Sequence, residues 1–311
     1  MTEHLGTLPI ARLRLTVRAD APLHLPPYAG SMLRGAFGHA LLALAPLPHH
    51  GGQPCALHAS CPYCQVFASP PLPAHSLQKF SQMPAPYVIE PPEGGAQRLS
   101  AGQAFDFGLV LIGKALTHIG AIERAWQRAL RIGLGHEHAP CTLVKIHDEN
   151  GEKPFEIMRE KLSKSIIDLP PAPTLTHRAT LHFHTPLRLQ IQGKPARAHQ
   201  LTARHLLITL ARRWQLLQDV HLGAAAPQQD FAALSTQASA ITLQAHGLRW
   251  YDWGRYSQRQ QREMQLGGLL GSLHLHGELS PFAHLLHLGQ WLHLGKNTSF
   301  GLGGYRLQLE G

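Results

Sequence analysis

Acidic residues, cysteines and long apolar runs are all scarce in this 311-residue chain. Against 28 Lys plus Arg stand only 19 Asp plus Glu, for a formal charge of +9. Such a balance favours a polyanionic partner, nucleic acid or an acidic membrane surface. Neither a His-Glu-x-x-His pattern nor a carboxylate-rich constellation occurs, which makes a zinc-dependent hydrolase the weakest of the functional classes. The four cysteines, Cys55, Cys61, Cys64 and Cys141, are too few and too clustered for a secreted disulfide framework, so a reducing compartment is expected. No apolar stretch is long enough to span a bilayer. The start Met1-Thr2-Glu3-His4 also lacks a charged-then-apolar signal pattern. A cytoplasmic protein without a membrane partner is expected.

What is abundant is histidine, with 23 residues, and apolar side chains, at 44%. The apolar content argues against disorder, and the length allows two domains with separate cores. Imidazoles near basic or aromatic neighbours can add positive charge beside phosphate, although a solvated histidine is the ordinary case.

The most informative stretch is Gly295-Lys296-Asn297-Thr298-Ser299-Phe300-Gly301-Leu302-Gly303-Gly304-Tyr305. Its glycines permit a sharp loop close to a ligand, and the polar residues between them supply donors, which suits an anion. A plain tight turn is the alternative. A mononucleotide loop would follow a strand, precede a helix and end Gly-Lys-Ser/Thr; this one follows an apolar helical pattern and leads into a strand, which excludes nucleotide hydrolysis.

Taken in order, residues 13–18 alternate as a strand and run through 21–25 into a Pro-Pro-Tyr-Ala-Gly turn. Leu33, Ala36, Phe37, Ala40, Leu41 and Leu44 form a helical stripe, with His39 well away from it and therefore accessible. Residues 46–103 read as a long Pro- and Cys-rich insertion containing a short strand near 86–89. A strand at 104–111, a helix buried through Ile119, Ile122, Trp126, Ala129 and Leu130, and a strand at 141–146 follow. A stiff linker at 169–173 separates domain 1–168 from domain 174–311, in which the same order returns. There the pattern gives a strand at 181–189, a helix with Leu206, Leu207, Leu210, Trp214 and Leu217, strands around 241–253 and 266–276, a last helix and a last strand. Each half is thus expected to be a ferredoxin-like, RRM-like βαββαβ domain of the α+β class.

Three motifs in this order carry a family resemblance: Gly30-Ser31-Met32-Leu33-Arg34-Gly35-Ala36-Phe37-Gly38-His39-Ala40-Leu41, Tyr256-Ser257-x-Arg259-Gln260-x4-Gln265-Leu266-Gly267-Gly268, and the glycine loop. Together they resemble the repeat-processing endoribonucleases of CRISPR systems, in the RAMP superfamily. The resemblance implies tandem ferredoxin-like domains that bind CRISPR repeat RNA and cut precursor transcripts into guide RNAs without a catalytic metal or cofactor. In that chemistry a 2′-hydroxyl attacks the scissile phosphate and leaves a 2′,3′-cyclic phosphate and a 5′-hydroxyl. It also implies association with a CRISPR effector complex, and a histidine on or near the first helix as a common catalytic group. His39 matches that position. A related RAMP subunit that binds guide RNA without cutting it is the alternative.

Beside the resemblance, the residues supply a chemistry. Neutral imidazole can deprotonate the 2′-hydroxyl and its protonated form can protonate the 5′-oxygen, so His39 is the candidate base or acid. Tyr28 can orient the nucleophile or stack on a base, its alternative being a loop anchor. Lys296 can neutralise charge developing on the phosphate or simply position the strand. RNA contacts are expected from Arg34, Arg255, Arg259, Gly295, Lys296, Asn297, Ser299, Gly301 and Gly303, with Trp250, Tyr251, Trp253 and Tyr256 offering rings to unstacked bases. Finally Cys55-x2-His58-x2-Cys61-x2-Cys64 has the spacing of a structural zinc knuckle, with reduced structural thiols as the alternative.

Overall fold

The computed structural model describes residues 8–47, 55–68, 83–148, 172–174, 177–252, 254–257 and 262–309, with backbone only at 254–257 and 262–265. Two compact units result, one from Met1–Leu169 with Leu217–Ala225, the other from Pro170–Leu216 with Ala226–Gly311.

In the first unit the chain runs β1 (Ile10–Ala19), β2 (Leu23–Leu25), α1 (Gly30–Ala43), β3 (Tyr87–Glu90), β4 (Gln97–Leu99), β5 (Ala104–Ile112), α2 (Ile119–Ile132) and β6 (Cys141–Asp148). Its four-stranded antiparallel sheet has the order β3-β5-β1-β6, the ferredoxin-like arrangement. Strand alternation decides which way it faces: Leu13, Leu15 and Val17 of β1 sit opposite Leu109, Phe107 and Phe105 and are buried under the helices. On the other face Arg12 meets Glu90 at 2.9 Å and Arg14 meets Asp106 at 3.7 Å. Those arginines are therefore already paired with carboxylates.

The second unit repeats the order with β7 (Arg178–Leu187), the small hairpin β8 (Gln190–Ile191) and β9 (Lys194–Pro195), and α3 (Ala203–Leu222), whose residues from Leu217 on count with the first unit. It continues through α4 (Phe231–Ser239), β10 (Thr242–Tyr251), β11 (Gly254–Ser257), β12 (Arg262–Gln265), β13 (Gly268–His276), α5 (Ala283–Leu292) and β14 (Tyr305–Leu309). Its sheet order, β10-β13-β7-β14, reproduces the first with each strand in the equivalent place. The fold is tandem ferredoxin-like, as the element order implied.

The expected insertion over 46–103 is too long. Tyr87–Glu90 is an integral sheet strand, hydrogen-bonded to β5, and Gln97–Leu99 pairs with β2, so the segment outside the sheets ends before Tyr87. The short strand expected near 86–89 is therefore present, but Tyr87, Val88 and Ile89 are buried on both faces and make it a core strand of the sheet rather than part of an insertion. Of the linker 169–173, only 172–173 fall within the described residues.

The first unit also contains a pH-sensitive contact. His221 is buried, and its Nδ1 accepts the Lys114 N–H at 3.1 Å. Burial, with the Lys114 charge acting in the same direction, pulls its pKa down to about 4. An unfolded histidine titrates near 6.5, so the unfolded chain binds more protons between those values, and this contribution is whole above about pH 6.5 and lost as pH falls through about 4. The loss should be on the order of 3 kcal/mol. Thermal melts at pH 7.5, 5.5 and 4.5 should show it, and His221→Gln should flatten that acid limb.

Candidate nucleic-acid interface and active site

In the first unit α1 presents the candidate proton-transfer group. Leu33, Phe37, Ala40 and Leu41 are buried, and the Phe37 ring stacks on Trp126 with centroids 5.0 Å apart. This fixes the rotation of the helix about its axis. His39, two residues and about 200° beyond Phe37, is consequently exposed. Arg34 is half-buried, with its guanidinium 4.4 Å above the ring of Phe67, so packing holds its stem and head.

Tyr28 corrects an expectation. Its side chain is only 9% exposed, and burial, reinforced by the Glu90 charge, pushes its phenol pKa well above the usual value. The ring is an anchor at the entry to α1, and its burial leaves no open face on which an unstacked base could lie.

In the second unit the glycine loop is held from inside. After α5, His293 takes φ 57°, ψ 154° and turns the chain; its imidazole is fully buried, with Nδ1 3.1 Å from the Gly301 carbonyl and 3.3 Å from that of Leu302. Both partners are acceptors, so Nδ1 carries the proton. The Thr185 hydroxyl donates to the Gly301 carbonyl at 2.7 Å and accepts the Gly304 N–H at 2.7 Å. Leu294 donates its N–H to the Gly303 carbonyl, and Gly303 donates to Pro186. A Cβ at Gly303, whose φ is +76°, would fall on the Leu294 carbonyl, and one at Gly304 would crowd His293, His184 and Thr185. These two glycines are required by close approach.

The outer rim of that loop is what a ligand would meet. Lys296 is exposed while its N–H donates to the Arg188 carbonyl at 2.8 Å, and Asn297, at φ 62°, opens a short 3₁₀ turn over Thr298–Phe300. Gly295 bridges to Arg188 and Gly301 takes φ 87°. Ser299 is half-buried. The expected contacts Gly295, Lys296, Asn297, Ser299, Gly301 and Gly303 thus form one continuous loop, in which only the lysine head projects fully.

Arg188 ties the loop to the neighbouring hairpin by donating from Nη1 to the Gly267 carbonyl at 2.7 Å. Close by, Arg197 lies 4.1 Å above the Trp250 ring. Arg249 is exposed on the same strand as Trp250. Arg255 lies on β11, of which only the backbone is described, and Arg259 lies outside the described residues.

Sequence reasoning passed over Thr185, Arg188, Arg197 and Arg213. Arg213 is buried in α3 and donates from Nε to the Leu292 carbonyl at 2.9 Å, setting a cation at the C-terminal end of α5. Burial lowers its pKa to about 10, leaving it charged at neutral pH. A signal existed: position 213 falls in the stripe of Leu206, Leu210 and Leu217, where an arginine is out of place unless it has a partner.

The open face of the second sheet gathers histidines already engaged with one another and with hydroxyls. His182 lies 2.8 Å from the Ser272 hydroxyl and 2.7 Å from Gln308 Oε1; His274 lies 2.8 Å from the Thr180 hydroxyl and packs its ring on His246.

Cys55, Cys61 and Cys64 converge, with Sγ atoms within 4.8 Å of one another. His58 does not join them; it is exposed, and the turn uses its backbone, N–H to the Cys55 carbonyl and carbonyl to Gln65 Nε2. The expected four-ligand knuckle is therefore three sulfurs. Burial and the two neighbouring sulfurs push the Cys64 thiol up to about 12. Cys141 stands apart, its thiol on the Ala139 carbonyl.

Known proteins share this architecture. Residues 181–305 match the family model for the CRISPR-associated endoribonuclease Cas6, and residues 8–170 match a model described as an N-terminal domain. No curated protein matches the sequence. A solved Cas6 product complex superposes with a TM-score of 0.61 at 16% identity, covering 96% of this chain and 100% of that one. Thermus thermophilus Cas6 gives 0.54 at 15% identity over 97% and 100% of the two chains. A RAMP protein binding different RNA substrates gives 0.52 at 12% over 96% and 99%. At such identities the structural likeness establishes the fold. Among the described residues, no helix is long and apolar enough to cross a membrane.

Proposed function

Because the chain belongs to the CRISPR repeat-processing Cas6 family, we propose that it binds CRISPR repeat RNA and cuts precursor transcripts by metal-independent attack of a 2′-hydroxyl. The observation that carries the reading is His39: α1 is clamped on one side by Phe37 against Trp126, and the imidazole stands exposed on the other. In the reaction, O2′ bonds to phosphorus as the P–O5′ bond breaks; the 2′-proton leaves and O5′ gains one. An imidazole can serve at either oxygen, and His39 is assigned that transfer. Products would be a 2′,3′-cyclic phosphate and a 5′-hydroxyl.

Residues 1–168 form the half that carries this group, and residues 174–311 the half that grips the strand. Lys296 neutralises a backbone phosphate, while the loop around Gly295, Asn297, Ser299, Gly301 and Gly303 gives the strand a close backbone approach. Arg255, Arg259 and Arg34 add cations, and a guide-bearing effector complex is the natural destination of the product. No metal or cofactor takes part in the cutting.

Incubating the purified protein with a repeat RNA in EDTA tests this. Cleavage should persist and yield ends that resist 3′ tailing until the cyclic phosphate is opened and removed. Loss of cutting in EDTA with recovery in Mg²⁺ would overturn it, and tight binding with no cutting under any condition would leave a non-cutting, guide-binding RAMP subunit.

Binding should fall with salt at about −0.7 in log–log slope per phosphate neutralised on single-stranded RNA. The double variant Lys296→Ala, Arg255→Ala should lower both affinity and slope, the latter by about 1.4 if each contacts one phosphate. An unchanged slope would put the phosphate grip elsewhere.

A further inference from the structure

The cysteine cluster of the first unit has no part in RNA cutting as proposed above, and its geometry asks for an occupant. Three sulfurs sharing one tetrahedral zinc at the usual Zn–S length of about 2.3 Å stand about 3.8 Å apart. Cys55, Cys61 and Cys64 already lie within 4.8 Å of one another, two of them buried. None of the three is joined in a disulfide, and one could take only two of them and would strand the third.

Local backbone brings them together. His58 N–H donates to the Cys55 carbonyl and Cys61 N–H to that of Leu57, closing a compact turn. Cys61 and Cys64 then follow at knuckle spacing, leading into the short π-helical turn Tyr63–Phe67. Three soft donors from ten residues, two facing inward, is a ligand set for a borderline-soft cation.

We propose that Cys55, Cys61 and Cys64 bind a zinc ion through three thiolates, with His58 not required. The inference is independent of the RNA reading. The position of the site also indicates its role. Phe67, three residues after Cys64, packs edge-on to Phe37 at 6.3 Å, stacks on Tyr87 at 6.0 Å and carries the Arg34 guanidinium. Its ring occupies the space a Cβ at Gly38 would need. The metal would therefore pin the segment whose aromatic ring rests on α1 between Arg34 and His39. It would be a positioning element, remote from reacting atoms.

The test uses the full chain purified under reducing conditions from zinc-supplemented cells. Elemental analysis should find about one zinc per chain. Cys61→Ser and Cys64→Ser should lose it, and His58→Ala should keep it. Because a cysteine variant can fail to fold, wild-type protein should also be titrated with a mercurial in the presence of a chromogenic chelator. One zinc should be released as the three thiols react. Cobalt(II) reconstitution should give thiolate-to-metal charge-transfer absorption and tetrahedral ligand-field bands. Metal-free wild-type protein that takes up neither ion would overturn the proposal, as would loss of zinc in His58→Ala or a Cys61–Cys64 disulfide in the fresh protein. Metal content reads the same whether or not RNA is cut, so failure here and failure of the nuclease assignment are separable.

Discussion

Replacing His39 by alanine should lower the single-turnover cleavage rate of a repeat RNA by roughly 10²–10⁴-fold while leaving RNA affinity nearly unchanged. The fold should tolerate the change, because the imidazole is exposed and α1 is fixed by buried Leu33, Phe37, Ala40 and Leu41 on its other side. Alanine is also the better helix former, so melting temperature should hold or rise slightly. A base must be neutral and an acid protonated, so the wild-type rate should depend on pH, and that dependence should be lost in His39→Ala. A wild-type single-turnover rate in the variant would move the chemistry elsewhere. Lys296 would then come first. His293 would not, since its ring is buried with Nδ1 committed to the loop carbonyls, and Tyr28 would not, since its ring is buried at the entry to α1.

The order of elements was legible because each half repeats a simple alternation of periods. Leu13, Leu15 and Val17 alternate as a half-buried strand must, and Ile119, Ile122, Trp126, Ala129 and Leu130 recur as an amphipathic helix must. Where both faces of a segment are covered, alternation no longer says which sheet it joins. In sequence Tyr87–Glu90 reads as a short strand inside an insertion, although it pairs with β5 in the first sheet. The helix Phe231–Ser239 was passed over for the opposite reason: it buries only Ala238, and its clearest mark is Asp230, which caps it by accepting the N–H groups of Ala232 and Ala233 at 3.0 Å.

The candidate site was legible only where exposure and chemistry coincide. His39 and Lys296 are named by position in a stripe and a loop, and both are exposed. Thr185, Arg188 and Arg213 act through partners 79 to 116 residues away in sequence, on Gly301, Gly267 and Leu292. Local patterns hold no record of such pairings. His58 shows the converse: ideal spacing placed it among the cysteines, but a helical or turn backbone sends successive side chains in different directions, and its own was turned outward.

The loop's internal bracing makes Gly303→Ala the second large effect to expect. At φ +76° an alanine costs about 1–2 kcal/mol in any surroundings. Here the added Cβ also meets the Leu294 carbonyl, a backbone group tied by its own residue's N–H to the Gly303 carbonyl, so neither side can withdraw without breaking that pairing. Together the strain and the lost hydrogen bond should cost about 3 kcal/mol, which corresponds to a fall in melting temperature of roughly 6–12 °C. Gly35→Ala provides the contrast: nothing lies within 4 Å of its would-be Cβ, the backbone is helical, and a gain of up to about 1 kcal/mol is expected. Lys296→Ala supplies the second contrast, since its side chain is exposed and should cost RNA affinity without lowering the melt. Gly303→Ala should lose both, because the outer rim can present Lys296 only while His293, Thr185 and the 294–303 pairing hold the inner chain in place. Scanning calorimetry beside RNA titration separates the three variants. A Gly303→Ala protein that melts with the wild type and binds RNA as tightly would mean that the loop is compliant and its glycines incidental.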